Sequence, residues 1–198
     1  MTSAIVLGAL LMLTACSSPQ PTARTAARTV VAVPKPAPTQ RKIPAKTNAP
    51  VRPVAEYMAA QENDLVEALA GSDIRLFRKR NSLTLVVPGN LAFSSNSYNL
   101  KEEARAELKK IAPVLRYYDR TRINVVGHTD NTGRPATNMM LSEKRADSVA
   151  AALTGSDIPK IRFWVDGKGA SEPAASNNTA EGREKNNRIE IVLTPTIR

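Results

Sequence analysis

The chain has 198 residues, with 28 Lys and Arg against 18 Asp and Glu, one His and one Cys. A single cysteine excludes an intrachain disulfide, and one His with one Cys cannot supply the usual nitrogen–sulfur ligands of a zinc site. The net charge of +10 would suit a nucleic-acid partner, but seven basic residues and no acidic one lie in 17–53, which leaves 21 basic against 18 acidic residues in 54–198, a net of +3. Nucleic-acid binding needs a basic face on the folded part, so no nucleic-acid partner is expected.

The first element is the apolar run "AIVLGALLMLTAC", which ends at Cys16. About a dozen residues are too few to span a bilayer and match a signal-peptide core. Its end, Leu13-Thr14-Ala15-Cys16, resembles the bacterial lipobox, in which a signal peptidase cuts before a cysteine that then carries lipid. Residues 1–15 are therefore expected to be a lipoprotein signal peptide, and Cys16 the lipidated residue that attaches the chain to a membrane. Residues 16–53 are rich in Pro, Ala and Thr, have no sustained period and cannot bury a core. They read as a basic, semi-extended tether, whose contour approaches ~110 Å at about 3.1 Å per residue in polyproline geometry.

The folded part begins with "VAEYMAAQENDLVEALAG", which sets Val54, Tyr57, Met58, Gln61, Leu65 and Leu69 near one helical stripe, with Gly71 ending it. "DIRLFRK" and "LTLVV" around "RNS" predict a hairpin with Arg78-Lys79-Arg80 at a solvated tip. "PGNLAFSSNSYN" predicts a loop, and Asn99 with Glu102 a capping box for the helix that follows. That helix repeats Leu100, Ala104, Leu108, Ile111 and Leu115 on one face, and Pro113 should kink it or end its regular part early. "RINVVG" predicts a strand, "LSEKRADSVAAALTG" a helix starting near Leu141, "IRFWVDG" a strand, "TAEGREKNN" a short helix and "RIEIVL" a final strand. Strands alternating with helices of this length predict a two-layer α/β domain.

Two charges then stand out. Asp130 lies in the loop "HTDNTGRPATN" at a strand's C-terminal end, and Arg145 falls about one turn into the helix expected from Leu141. Gly133 permits a tight or left-handed turn that lets backbone N–H groups converge on an anion. Two readings are open. The charges form an internal ion pair that fixes the loop, or they share a zwitterion, the carboxylate taking an ammonium and the guanidinium a carboxylate.

"LAFSSNSYNL", "VVGHTDNTG…N…LSEKRADSVAAAL" and "GKGASEPAASNNTAEGREKNNRIEI", in that order over Leu83 to Leu193, resemble the C-terminal peptidoglycan-binding domain of OmpA and the peptidoglycan-associated lipoproteins. The lipobox and the preceding helix and hairpin make the chain most similar to the small OmpA-family lipoproteins. The resemblance implies an α/β (α+β) two-layer sandwich over 83–198, with a mixed sheet of about four strands and helices on one side, preceded by a helix and first hairpin strand over 54–82. It implies that Asp130 and Arg145 hold the amino group and a carboxylate of the meso-diaminopimelate in the peptidoglycan stem peptide. Asn96, Gly133 and Asn138 match the pocket, with Thr129, Thr132 and Leu141 on its rim. The family usually carries two arginines after the Asn near its C-terminus, where this chain has Asn186-Asn187-Arg188. Ser17 is not the Asp that signals inner-membrane retention, so the periplasmic face of a Gram-negative outer membrane is implied.

No cofactor is implied, and enzyme readings are weak. His128 and Asp130 are two positions apart at a strand end, no Gly-x-Ser-x-Gly elbow appears, and His128 is expected to hydrogen-bond locally and hold the loop. "GKG" at 167–169 lacks phosphate-loop spacing. The expected function is a lipid-anchored tether between envelope and wall. The alternative is a periplasmic interaction or secretion-system component whose segment 54–87 binds a protein partner while the wall localises it.

Overall fold

The computed structural model describes residues 53–196. The expected signal peptide, Cys16 and the expected tether to Arg52 lie outside the described residues. Helix α1 (Val54–Ala68) turns Met58, Gln61 and Leu65 inward. Strands β1 (Arg75–Lys79) and β2 (Ser82–Pro88) pair antiparallel, and Lys79 faces Ser82. Only Arg80 of the basic triplet is in the turn, at φ 52. The Arg78 guanidinium donates to the Glu62 carboxylate on α1 at 2.6 Å, so it ties hairpin to helix instead of standing at a solvated tip.

The expected loop after β2 holds one helical turn, α2 (Gly89–Ala92). Helix α3 (Glu102–Tyr117) buries Ala104, Leu108, Ile111 and Leu115 and continues through Pro113. The Asn99 capping box does not form, because Leu100 bridges Phe93 as extended chain and the Lys101 N–H is already donated to the Ala92 carbonyl. The helix begins only beyond that bridge, without a side-chain cap.

Strand β3 (Thr121–His128) leads through a loop to α4 (Pro135–Thr154). This helix starts six residues before Leu141, at Pro135, whose fixed φ and missing N–H suit a first helical turn. Arg145 therefore lies about 15 Å along α4 from its first residue, not one turn in. Strand β4 (Phe163–Gly167), α5 (Ala180–Asn186) and β5 (Arg188–Pro195) complete the body. Thr179 caps α5 by accepting from the Gly182 N–H at 3.0 Å.

The sheet is mixed and five-stranded, in the order β1-β2-β5-β3-β4, and only β3 and β4 run parallel. The hairpin joins this sheet through β2 and β5. Helices α1, α3 and α4 share one core with one face of the sheet, where Leu85, Ile191 and Val125 sit in register. The opposite face is more open. There Trp164 is 51% exposed, with the Arg122 guanidinium 4.2 Å above its indole.

Two glycines set the height of α4 above the sheet. Gly127 and Gly167 are register partners on β3 and β4. A side chain at Gly127 would collide with the Ser142 carbonyl, and one at Gly167 would come within 2.6 Å of the Glu143 nitrogen. Ser142 is fully buried in this contact, donating to the Met139 carbonyl and accepting from the Gly169 N–H at 2.9 Å.

Arg162, only 9% exposed, staples the other end of the body. It donates to the carbonyls of Leu115 at 2.6 Å, Tyr118 at 2.8 Å and Thr121 at 2.9 Å, and to the Thr121 hydroxyl at 3.0 Å. These include carbonyls that the C-terminus of α3 leaves open. Arg162→Met should lower unfolding stability by about 3 kcal/mol in urea denaturation, because several buried acceptors lose their donor together.

His128 is 3% exposed, and neither ring nitrogen has a hydrogen-bond partner among the described residues, so it holds its place there by packing and not by the local hydrogen bond expected. Burial, then the Arg188 charge, hold its pKa at about 4 against an ordinary 6.5; Lys168 adds to the depression, while Glu190 and Glu172 oppose it. The folded state disfavours the proton that the unfolded chain accepts. This contribution is complete above pH 6.5 and is lost as pH falls from 6.5 towards 4. Thermal melts should show a loss on the order of 1–2 kcal/mol across that window, and His128→Asn should flatten that part of the profile.

Candidate functional site

The loop after β3 is built by its own polar atoms. Thr129 is buried; its N–H donates to the Gly169 carbonyl at 2.8 Å and its hydroxyl to the Asp130 carbonyl at 2.9 Å. Asp130 Oδ1 accepts the Thr132 N–H at 2.8 Å, closing a side-chain turn. Gly133 follows at φ 90, in the left-handed region that favours glycine. Asn138, in the first turns of α4, donates to the carbonyls of Asp130 at 3.2 Å and Thr132 at 2.9 Å. Asn138 thus fixes the loop to the helix, and Asp130 is left half-buried with Oδ2 unpartnered among the described residues.

Arg145 lies two turns further along α4 and is 4% exposed. Its Nε donates to the Ser97 carbonyl and its Nη1 to Asn187 Oδ1, both at 2.8 Å. The guanidinium carbon sits 4.9 Å from the centroid of the Phe93 ring. Nη2 has no hydrogen-bond partner among the described residues. Burial lowers the proton affinity of Arg145, and the Asp130 charge partly restores it; a guanidinium remains charged at neutral pH in such a setting.

No ion pair joins Asp130 to Arg145 within 4.0 Å. The Asp130 charge acts on Arg145 through space, and each side chain keeps part of its hydrogen-bonding capacity. Of the two readings of this pair, the arrangement resembles separated charges more than an internal bridge. Leu141 is half-buried on α4 between Asn138 and Arg145. Asn96 is exposed at φ 55, in a turn closed by the Ser97 N–H on the Ser94 carbonyl at 3.1 Å. Asn tolerates that conformation, and the turn presents the Ser97 carbonyl to Arg145.

A hollow of 410 Å³ opens beside Arg145, lined also by Phe93, Ser94, Ser95, Lys101, Glu184 and Asn187. Asp130 and Asn96 do not line it, so the Asp130 loop and the arginine-lined hollow are separate parts of the arrangement. Phe93, Ser97 and Asn187 were not among the expected site residues. Only Asn187 carried a sequence signal, as a departure from the usual arginine. No group of three or more His, Cys, Asp or Glu among the described residues could hold a metal ion.

Residues 92–187 match the OmpA family. The chain is 41% identical over 142 residues to the probable lipoprotein YiaD of Escherichia coli strain K12, covering 72% of this chain and 65% of that one. It is 40% identical over 101 residues to the outer-membrane lipoprotein YfiB of Pseudomonas aeruginosa, covering 51% of this chain and 60% of that one. It therefore spans less than two thirds of the length of either relative. The fold is similar to that of the cell wall anchor of the T6SS from Pseudomonas aeruginosa, with a TM-score of 0.57 at 27% identity, covering 72% of this chain and 97% of that one. With the mixed sheet, the β3–α4 loop and the matched residues taken together, the chain carries an OmpA-family domain.

Proposed function

We propose that this protein is an outer-membrane lipoprotein that grips peptidoglycan noncovalently through the meso-diaminopimelate of the stem peptide. The observation that carries this reading is the pair of partly unsatisfied charges. The buried Arg145 keeps Nη2 free beside an open hollow that Lys101 also lines, and Asp130 keeps Oδ2 free on a loop fixed by Asn138. A zwitterion with a carboxylate and an ammonium complements that arrangement, and charge-assisted bonds in a desolvated setting are strong ones. Thr129, Thr132, Gly133 and Asn138 shape the Asp130 loop, while Asn96 and Leu141 form the rim in this reading. Likeness to two lipoproteins and to a cell wall anchor supports the same conclusion. Lipid on Cys16 supplies the membrane end and residues 17–53 the distance.

Cosedimentation with purified sacculi tests the wall end. Asp130→Ala and Arg145→Ala should each weaken binding at least about tenfold, since each removes one charge-assisted contact. Parent-level binding by both variants would dismiss the site. Cys16→Ser should move the protein from the outer-membrane fraction to the soluble fraction, and continued membrane fractionation would dismiss the lipid anchor.

A further inference from the structure

Arg145 is held by three groups, and only one of them is a side chain with a choice of chemistry. Ser97 contributes a main-chain carbonyl and Phe93 a ring face. Asn187 contributes a neutral amide oxygen at 2.8 Å from Nη1. A guanidinium only donates, so the amide atom facing it must be the oxygen.

Asn187 is itself fixed at both ends of its backbone. Its N–H donates to the Arg183 carbonyl at 3.0 Å, at the end of α5, and its carbonyl accepts the Gly89 N–H at 2.9 Å. Gly89 also makes room for the side chain. A Cβ there would lie 2.6 Å from Asn187 Oδ1 and 2.7 Å from its carbonyl oxygen. The amide oxygen is therefore presented to Arg145 on a rigid mount, between the start of β5 and the turn of α2. Asn187 also lines both the hollow beside Arg145 and a second groove of 680 Å³ that holds Arg75, Lys185 and Arg188.

We infer that Asn187, held against Gly89, is a positioning and specificity-determining residue: it orients the Arg145 guanidinium through Nη1 and, being neutral, leaves its charge for an incoming carboxylate. An acidic side chain in the same place would keep the hydrogen bond but neutralise the guanidinium. A long basic one would add a like charge and remove the acceptor. This inference rests on the peptidoglycan reading for the identity of the carboxylate, but not for the restraint on Arg145.

Two measurements on the full-length protein separate these layers. The first is rotation of the Arg145 guanidinium about its Cζ–Nη bonds, followed by nitrogen NMR and assigned with Arg145→Lys. Rotation should be slow in the parent and in Asn187→Asp, and fast in Asn187→Ala. The second is calorimetric titration with two muropeptides, one with a free diaminopimelate carboxylate and one amidated there. Asn187→Ala should weaken the free form about tenfold and leave the amidated form unchanged. Asn187→Asp should weaken the free form at least as much, despite retained slow rotation. Gly89→Ala should follow Asn187→Ala in both readings.

Equal rotation in parent and Asn187→Ala would overturn the inference, as would equal losses for the two muropeptides. Parent-level binding of the free form by Asn187→Asp would overturn the requirement for neutrality. If the parent binds neither muropeptide, the peptidoglycan reading fails, and the rotation measurement alone decides the role of Asn187.

Discussion

Helix α4 rests on the sheet at Ser142, where Gly127 and Gly167 let helix backbone and strand backbone approach more closely than side chains would permit. The contact is buried and doubly bonded, since the Ser142 hydroxyl donates within α4 and accepts from the Gly169 N–H. Along the helix, Asn138 lies about one turn before this seat and Arg145 about one turn after it. The rise and rotation of α4 thereby fix both the residue that holds the Asp130 loop and the residue that carries the guanidinium. A helix lifted by even a methyl group would move both, because packed interiors transmit volume changes instead of absorbing them.

Burying a guanidinium among neutral acceptors is a different solution from burying an ion pair. Removing a charge from water is costly unless its donors are met. Here a carbonyl and an amide oxygen take two of the donors, and an aromatic face lies against the ion. None of these partners carries a charge, so the field of Arg145 stays directed outward. Asp130 is near enough to favour the protonated guanidinium and too far to bond it. Both charges are thus held with part of their hydrogen-bonding capacity unused, which is what the proposed zwitterionic ligand would take up.

Much of the fold was readable from periodicity. The stripe of α1, the hairpin, the apolar face of α3 and the three later strands appear where alternation or 3.6-residue spacing places them. The errors came where tertiary contacts overrule local preference. Asn99 could not cap α3 because Leu100 is committed to a bridge with Phe93. The first turns of α4 bury only the polar Asn138, so no apolar stripe announced them. In the site, Asp130 and Arg145 were legible as unlike charges near a strand end. Their supports were not: Ser97 and Asn187 lie 48 and 42 positions from Arg145, and a main-chain acceptor leaves no mark in residue type. Segment 54–87, expected to offer a partner surface, contributes the edge hairpin of the sheet and the buried Met58 and Leu65. Its removal would disturb the core as well as any contact it makes.

The order of the sheet also bears on how the chain acquires its shape. The central strand, β5, is the last of the described elements, and it pairs on one side with β2, about a hundred positions earlier. Until β5 arrives, the β1–β2 hairpin and the β3–β4 unit have no common strand to join them. Pairings of such sequence separation are slow to form and cannot begin on a partly delivered chain. The two halves of the sheet therefore stay unjoined until β5 is available to both.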